Sequence, residues 1–273
     1  MFNLIKMDLR RLTRMKSFWI MIAVTVLLGV FSVYMTDYTR ELQQDVSVES
    51  AGLFVSVDAQ PRLANKVDFT DLVNVDVAGL TLTLLCAIFA PIFVNAEQKN
   101  GYIKNIAGQL PNRGVLVLSK LVAVAVQVFV IFASYILAVA VAGKIFLGED
   151  LVFESVGAFA KMIVIHYLLH VGFSALVMAL TVMLRGSGLA MTFGILSSAT
   201  MTSFIYSLIN IPLHKCGISE SFDIGDYAIE NCIYIVKPTM AGDNLTRVIV
   251  VGIAFLVVST VAAMVVMQKR DVK

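Results

Sequence analysis

The chain has 273 residues, of which 59% are hydrophobic and only 15% charged, with a net charge of +2. A soluble domain carries about 25% charged residues, so composition excludes water as the main solvent, and the small net charge leaves no broad basic surface for nucleic acid. Apolar runs long enough to cross a ~30 Å hydrocarbon core, about 20 residues each, make a single membrane domain over 1–273 the simplest organisation.

At the start of the chain, Phe2, Ile5, Leu9 and Leu12 recur at helical spacing while Lys6, Arg10 and Arg14 form a separate stripe. This pattern predicts an amphipathic helix over 1–16, lying in the membrane interface with its cations toward the headgroups and bending near Lys16 into the first span. The plainer alternative is a positively charged anchor with no further role. The apolar run 17–36 is longer than a signal-peptide core and has no small-x-small cleavage site before Asp37, so it is expected to be a retained span.

Further uninterrupted apolar stretches lie at about 77–96, 116–142, 156–184, 188–211 and 246–267, giving six predicted transmembrane helices in all. Only Leu184, Arg185, Gly186 and Ser187 separate the fourth from the fifth, which predicts a tight antiparallel hairpin. Between spans, 37–75, 143–155 and 212–244 form polar parts on one side. Within the last of these, Ser219 to Ile229 begins with a Ser cap and early acids, suggesting a short surface helix weakened by Gly225.

With the N-terminus in the cytoplasm, the segments on that side hold thirteen basic residues against three acidic ones, and the opposite side eight against sixteen. Basic residues accumulate in cytoplasmic segments, so both termini are expected inside. The fold expected is an all-α, multi-pass protein of a bacterial plasma membrane.

Three features inside or beside the spans invite a functional reading. His166 and His170, at i and i+4, share a face of the fourth span, where ionisable groups are costly. They read as neutral hydrogen-bonded packing residues or as the lining of a polar cavity; a metal site lacks further ligands nearby, and a proton relay lacks an acidic partner within a span. Gly194, Ser198 and Thr202, at i, i+4 and i+8 of the fifth span, allow close helix approach. Cys216 and Cys232, with fifteen residues between them in one polar part, are a disulfide candidate whose closure would stabilise that part by ~3 kcal/mol.

Residues 95–121 join the second and third spans and are the most distinctive stretch. Glu97-x-x-x-Gly101-x-Ile103-Lys104-Asn105, then Arg113, then Ser119-Lys120-Leu121, resembles the pattern in permease subunits of type-2 ATP-binding-cassette (ABC) exporters. The ending Gln268-Lys269-Arg270-Asp271-Val272 and the basic amphipathic start are similar to the same family. That resemblance implies a six-span permease whose turn after the second span rests on a separate ATPase subunit and transmits its closure. Glu97, Lys99, Lys104 and Arg113 would then supply docking charges, and Tyr102 and Ile103 apolar anchors, although Tyr102 stands where the family favours a small or hydroxyl residue. It also puts the second and fifth spans beside the subunit interface and translocation route, which makes the Gly194 stripe a candidate for either, with packing inside the 184–188 hairpin as the alternative.

No G-x-x-x-x-G-K-[ST] phosphate loop occurs, since Gly143-Lys144 is followed by Ile145. ATP and Mg are therefore expected in a partner ATPase, present in two copies, and no cofactor or enzymatic activity in this chain. Its membrane partner would be a second copy of itself or a related permease. By analogy with compact members of that family, the cargo would be an antimicrobial peptide, drug or lipid, exported for resistance or self-immunity. The competing readings are a non-transporting membrane sensor or scaffold, and an ion-coupled secondary transporter, which would need embedded carboxylates or broken helices that the apolar runs do not suggest.

Overall fold

The computed structural model describes residues 1–45, 66–99, 113–199, 201–215 and 222–269. The amphipathic start forms α1 (Phe2–Arg14). At Met15 the backbone turns extended (φ −73°, ψ 129°), its N–H still donating to the Arg11 and Leu12 carbonyls, and α2 (Lys16–Asp45) begins at the next residue. Trp19 fastens this corner by donating its indole N–H to the Thr13 carbonyl at 2.9 Å. Thirty helical residues extend about 45 Å, more than the hydrocarbon thickness. So α2 runs past the expected end of the first span and into what the sequence assigned to the polar part 37–75.

The same part contributes two further elements. Val67–Asp68 (β1) pairs in parallel with Leu151–Val152 (β2), and Asp68 then caps α3 (Phe69–Ala78) by accepting from the Thr70 N–H at 3.1 Å. Next comes α4 (Leu80–Lys99), bent 44° from α3. The expected unbroken second span is thus corrected to a bent pair that begins earlier. Gly79 is the joint: a Cβ there would sit 2.6 Å from the Val75 carbonyl oxygen, a distance no other residue tolerates.

α5 (Gly114–Phe146) and α6 (Val156–Leu184, capped by Ser155) are long, unbroken apolar helices. The fifth predicted span is corrected in the same way as the second, to α7 (Ser187–Ser198) and α8 (Ser203–Lys215) bent by 78°. Beyond it lie a 3-10 turn (Ile224–Tyr227), α9 (Ile229–Ile235) and α10 (Gly242–Lys269). The short helix expected over 219–229 therefore begins later: Asp223 caps the turn through the Gly225 N–H, and the α-helix starts only after Ala228. Residues 216–221 lie outside the described residues.

Among the described residues, four helices are long and apolar enough to cross a membrane, in α2, α5, α6 and α10, and the two bent pairs raise the number to as many as six. The chain is a helical, multi-pass membrane protein. At its centre α6 packs on α4, α5, α7 and α10, and Gly172 of α6 meets the backbone of Gly252 where α6 and α10 cross.

Candidate functional site

The most concentrated chemistry lies where α1 meets the end of α4 and the start of α5. α1 turns Asp8 and Leu12 inward and leaves Lys6, Arg10 and Arg14 exposed, while Ile5 and Leu9 are half-buried and Phe2 is exposed. The apolar stripe is therefore shared between the bundle and the surroundings, not given wholly to the acyl chains as its pattern suggested.

Into this contact come Glu97 from α4 and Ser119 and Lys120 from α5, all buried with Asp8. Glu97 is the hub: Arg11 pairs with one carboxylate oxygen and Lys120 with the other. Arg11 also donates to the Phe93 carbonyl at 2.8 Å and lies 4.3 Å from the centroid of the Phe93 ring. Ser119 donates its hydroxyl to Asp8 at 2.6 Å, and the second Asp8 oxygen stands 3.8 Å from Arg11 and 3.9 Å from Lys120. Two acids and two bases thus balance within one buried knot. Burial holds the Asp8 carboxyl above its ordinary value, opposed chiefly by the Lys120 charge. Such a cluster is brittle, because removing one member leaves a buried charge without its counter-ion.

Glu97 was expected to offer a docking charge; its carboxylate instead faces inward and ties three helices together. Arg113, at the N-cap of α5, is half-buried. Lys99 ends α4, and Gly101, Tyr102, Ile103, Lys104 and Asn105 lie outside the described residues. The knot thereby clamps both flanks of the turn that the sequence singled out. Sequence reasoning passed over Asp8 and Arg11. The available signal was a lone acid among the bases of the first sixteen residues, three positions before an arginine.

No protein-family model matches the chain, and no curated protein matches it. Function must therefore be argued from geometry and charge.

Two further polar clusters surround the helix breaks. At the Gly79 joint, Asp76 accepts from the Tyr135 hydroxyl of α5 at 2.6 Å and from Thr81 at 3.0 Å. On the opposite side of the same joint, His166 lies 3.1 Å from Asn74 Oδ1 and His170 lies 3.2 Å from Thr83 Oγ1. His170 Nδ1 is 2.8 Å from the His166 carbonyl, an acceptor only, so this nitrogen carries a proton. Both histidines are fully buried, in the geometry of hydrogen-bonded packing residues. Among the described residues no three His, Cys, Asp or Glu side chains gather as a metal site would require. The expectation of unbroken helices in the spans is corrected by the two bends, and Asp76 lies one residue before the expected second span.

At the second break Glu230 of α9, also buried, accepts from Thr202 at 2.7 Å and from the Tyr206 hydroxyl. The Gly194, Ser198, Thr202 stripe is consequently not one helical face, since α7 ends at Ser198 and Thr202 leads into α8. Gly194 packs inside the chain, where a Cβ would lie 3.0 Å from Ala87 and 3.3 Å from Val177, and Ser198 donates to the Ile195 carbonyl at 2.8 Å. Cys232 is a buried free thiol 3.5 Å from the Asp226 carbonyl, its pKa pushed up by burial to about 11. Cys216, the other half of the disulfide candidate, lies outside the described residues.

Proposed function

We propose that this chain is the permease subunit of an ATP-driven exporter of the type-2 ABC kind, with both termini in the cytoplasm and its energy supplied by a separate ATPase. The observation that carries this reading is the buried knot of Asp8, Arg11, Glu97 and Lys120. A push received on residues 100–112 passes at once to α4 and α5, and through Arg11 and Asp8 to α1 and the corner into α2. A solvated loop with no mechanical duty gains nothing from three buried charges and a half-buried fourth, whose desolvation is costly. The exposed stripe of Lys6, Arg10 and Arg14 adds a cationic edge beside the same turn, suited to anionic headgroups or an acidic partner surface. A hydrophobic or amphipathic cargo, such as a peptide, drug or lipid, fits a bundle with so little mass outside the membrane.

The test is assembly. Co-expressed with a candidate ATPase from its own gene neighbourhood, the chain should co-purify in mild detergent as a stable complex, in the stoichiometry of two permeases to two ATPases. If no ATPase associates under those conditions, the proposal fails.

An ion-coupled transporter is the second reading, favoured by Asp76 at a broken helix. It ranks lower because both Asp76 oxygens already accept hydroxyl donors, from Tyr135 and Thr81, which makes the carboxylate a latch holding the bend to α5. Substrate export that survives an ionophore but stops on ATP depletion decides for the exporter; the converse decides for ion coupling.

A further inference from the structure

The ends of α6 and α10 lie on the α1 side of the bundle, since Asn95 near the end of α4 donates to Ser187, the residue that opens α7, at 3.0 Å. Between those two ends runs an open groove of about 330 Å³ walled by Met183, Val265 and Val266, with Arg185 and Lys269 at its rim. Both cations are exposed, and no acidic side chain lines the groove among the described residues. Helix dipoles favour a cation at each C-terminus, but they do not account for the open apolar groove beside the pair.

Arg185 has a second peculiarity. It adopts the left-handed conformation (φ 57°, ψ 24°) at the C-cap of α6, and it is the one non-glycine residue with positive φ among the described residues. Glycine is the ordinary occupant of such a position because a Cβ there is strained. Gly186 follows immediately and could have taken that place. A residue kept in a strained conformation directs attention to what its side chain does.

We infer that this groove is a binding site for an anionic phospholipid of the leaflet on the α1 side. The phosphate would sit between Arg185 and Lys269, and an acyl chain along Met183, Val265 and Val266. Charge complementarity selects the occupant: two exposed cations at the rim of a groove that no acid lines among the described residues suit an anion, and the apolar wall beside them suits an anion that carries a hydrocarbon tail. The inference does not depend on the exporter reading, because it concerns the surroundings of the bundle and not its energy source.

The test uses the full chain in nanodiscs containing phosphatidylglycerol and phosphatidylcholine in equal parts, with retained lipid quantified by mass spectrometry after mild detergent extraction. Each cation contributes about a fivefold preference, so the parent should retain the anionic lipid in large excess and the Arg185→Ala, Lys269→Ala double variant should lose most of that excess. Arg185→Gly provides a control for folding: relieving the left-handed strain should raise its thermal midpoint while lowering anionic-lipid retention. Three results would overturn the inference: equal retention of the two lipids by the parent, displacement of the lipid by inorganic phosphate alone, or efficient cross-linking of a Met183→Cys variant to a second copy of the chain, which would show protein in the groove.

Discussion

Glu97 shows how much a single side chain can carry in this protein. Its two oxygens meet Arg11 and Lys120, so neutralising either partner strands a buried charge. Glu97→Gln or Lys120→Met alone should cost about 3–5 kcal/mol, whereas the Glu97→Gln, Lys120→Met double variant should recover much of that loss. Thermal unfolding in detergent across the double-mutant cycle reads the difference. Asp8 behaves oppositely. A carboxyl whose folded pKa is raised contributes stability that is fully present below the unfolded value and is lost as pH rises through the folded one. Asp8→Asn, which keeps an acceptor for Ser119, should therefore flatten the dependence of stability on pH from the ordinary value of 3.8 upward to the raised one. A pH series of melting curves comparing the variant with the parent would show whether the slope disappears.

The elements are organised by two bends, each held by a carboxylate, half-buried at Asp76 and buried at Glu230. Asp76 fixes the α3–α4 joint to α5 through Tyr135, and Glu230 fixes the α7–α8 joint to α9 through Thr202 and Tyr206. Tyr135→Phe leaves Asp76 with one donor fewer and should destabilise the chain by about 1–3 kcal/mol, with faster protease cleavage near Gly79 as the local readout. The straight spans were legible in the sequence because an apolar run flanked by charges has few alternatives. The breaks were not. Hydropathy averages over a window, so one glycine at position 79 leaves an apolar run looking continuous, and Asp76 looked like the edge of a loop, not a latch inside a joint. The Gly194, Ser198, Thr202 stripe failed for the same reason, since helical spacing means nothing across a break at 199–202. The knot was half legible. Glu97 and Lys120 drew notice as parts of a motif, but Asp8 and Ser119 stand 111 residues apart in sequence, and no local pattern announces that they will meet.

For the whole molecule, the features at the α1 end point one way. A charged knot joins the end of α4 to the start of α5, an exposed basic stripe runs along α1, and Arg185 and Lys269 stand at the ends of α6 and α10. On the exporter reading this end faces the cytoplasm and receives the ATPase, while the two bends and the small β1–β2 ladder belong toward the opposite mouth. The charge asymmetry of the sequence agrees with that orientation. The central claim is mechanical: the ATPase works against this chain through the turn that the knot anchors. The measurement that tests it most directly is the ATP hydrolysis rate of the partner ATPase in the same membranes with the parent chain, with the Glu97→Gln, Lys120→Met double variant, and with no permease at all. The account predicts a rate that rises in the presence of the parent and falls most of the way back with a variant that still inserts and assembles. A rate that is identical with and without this chain would contradict it.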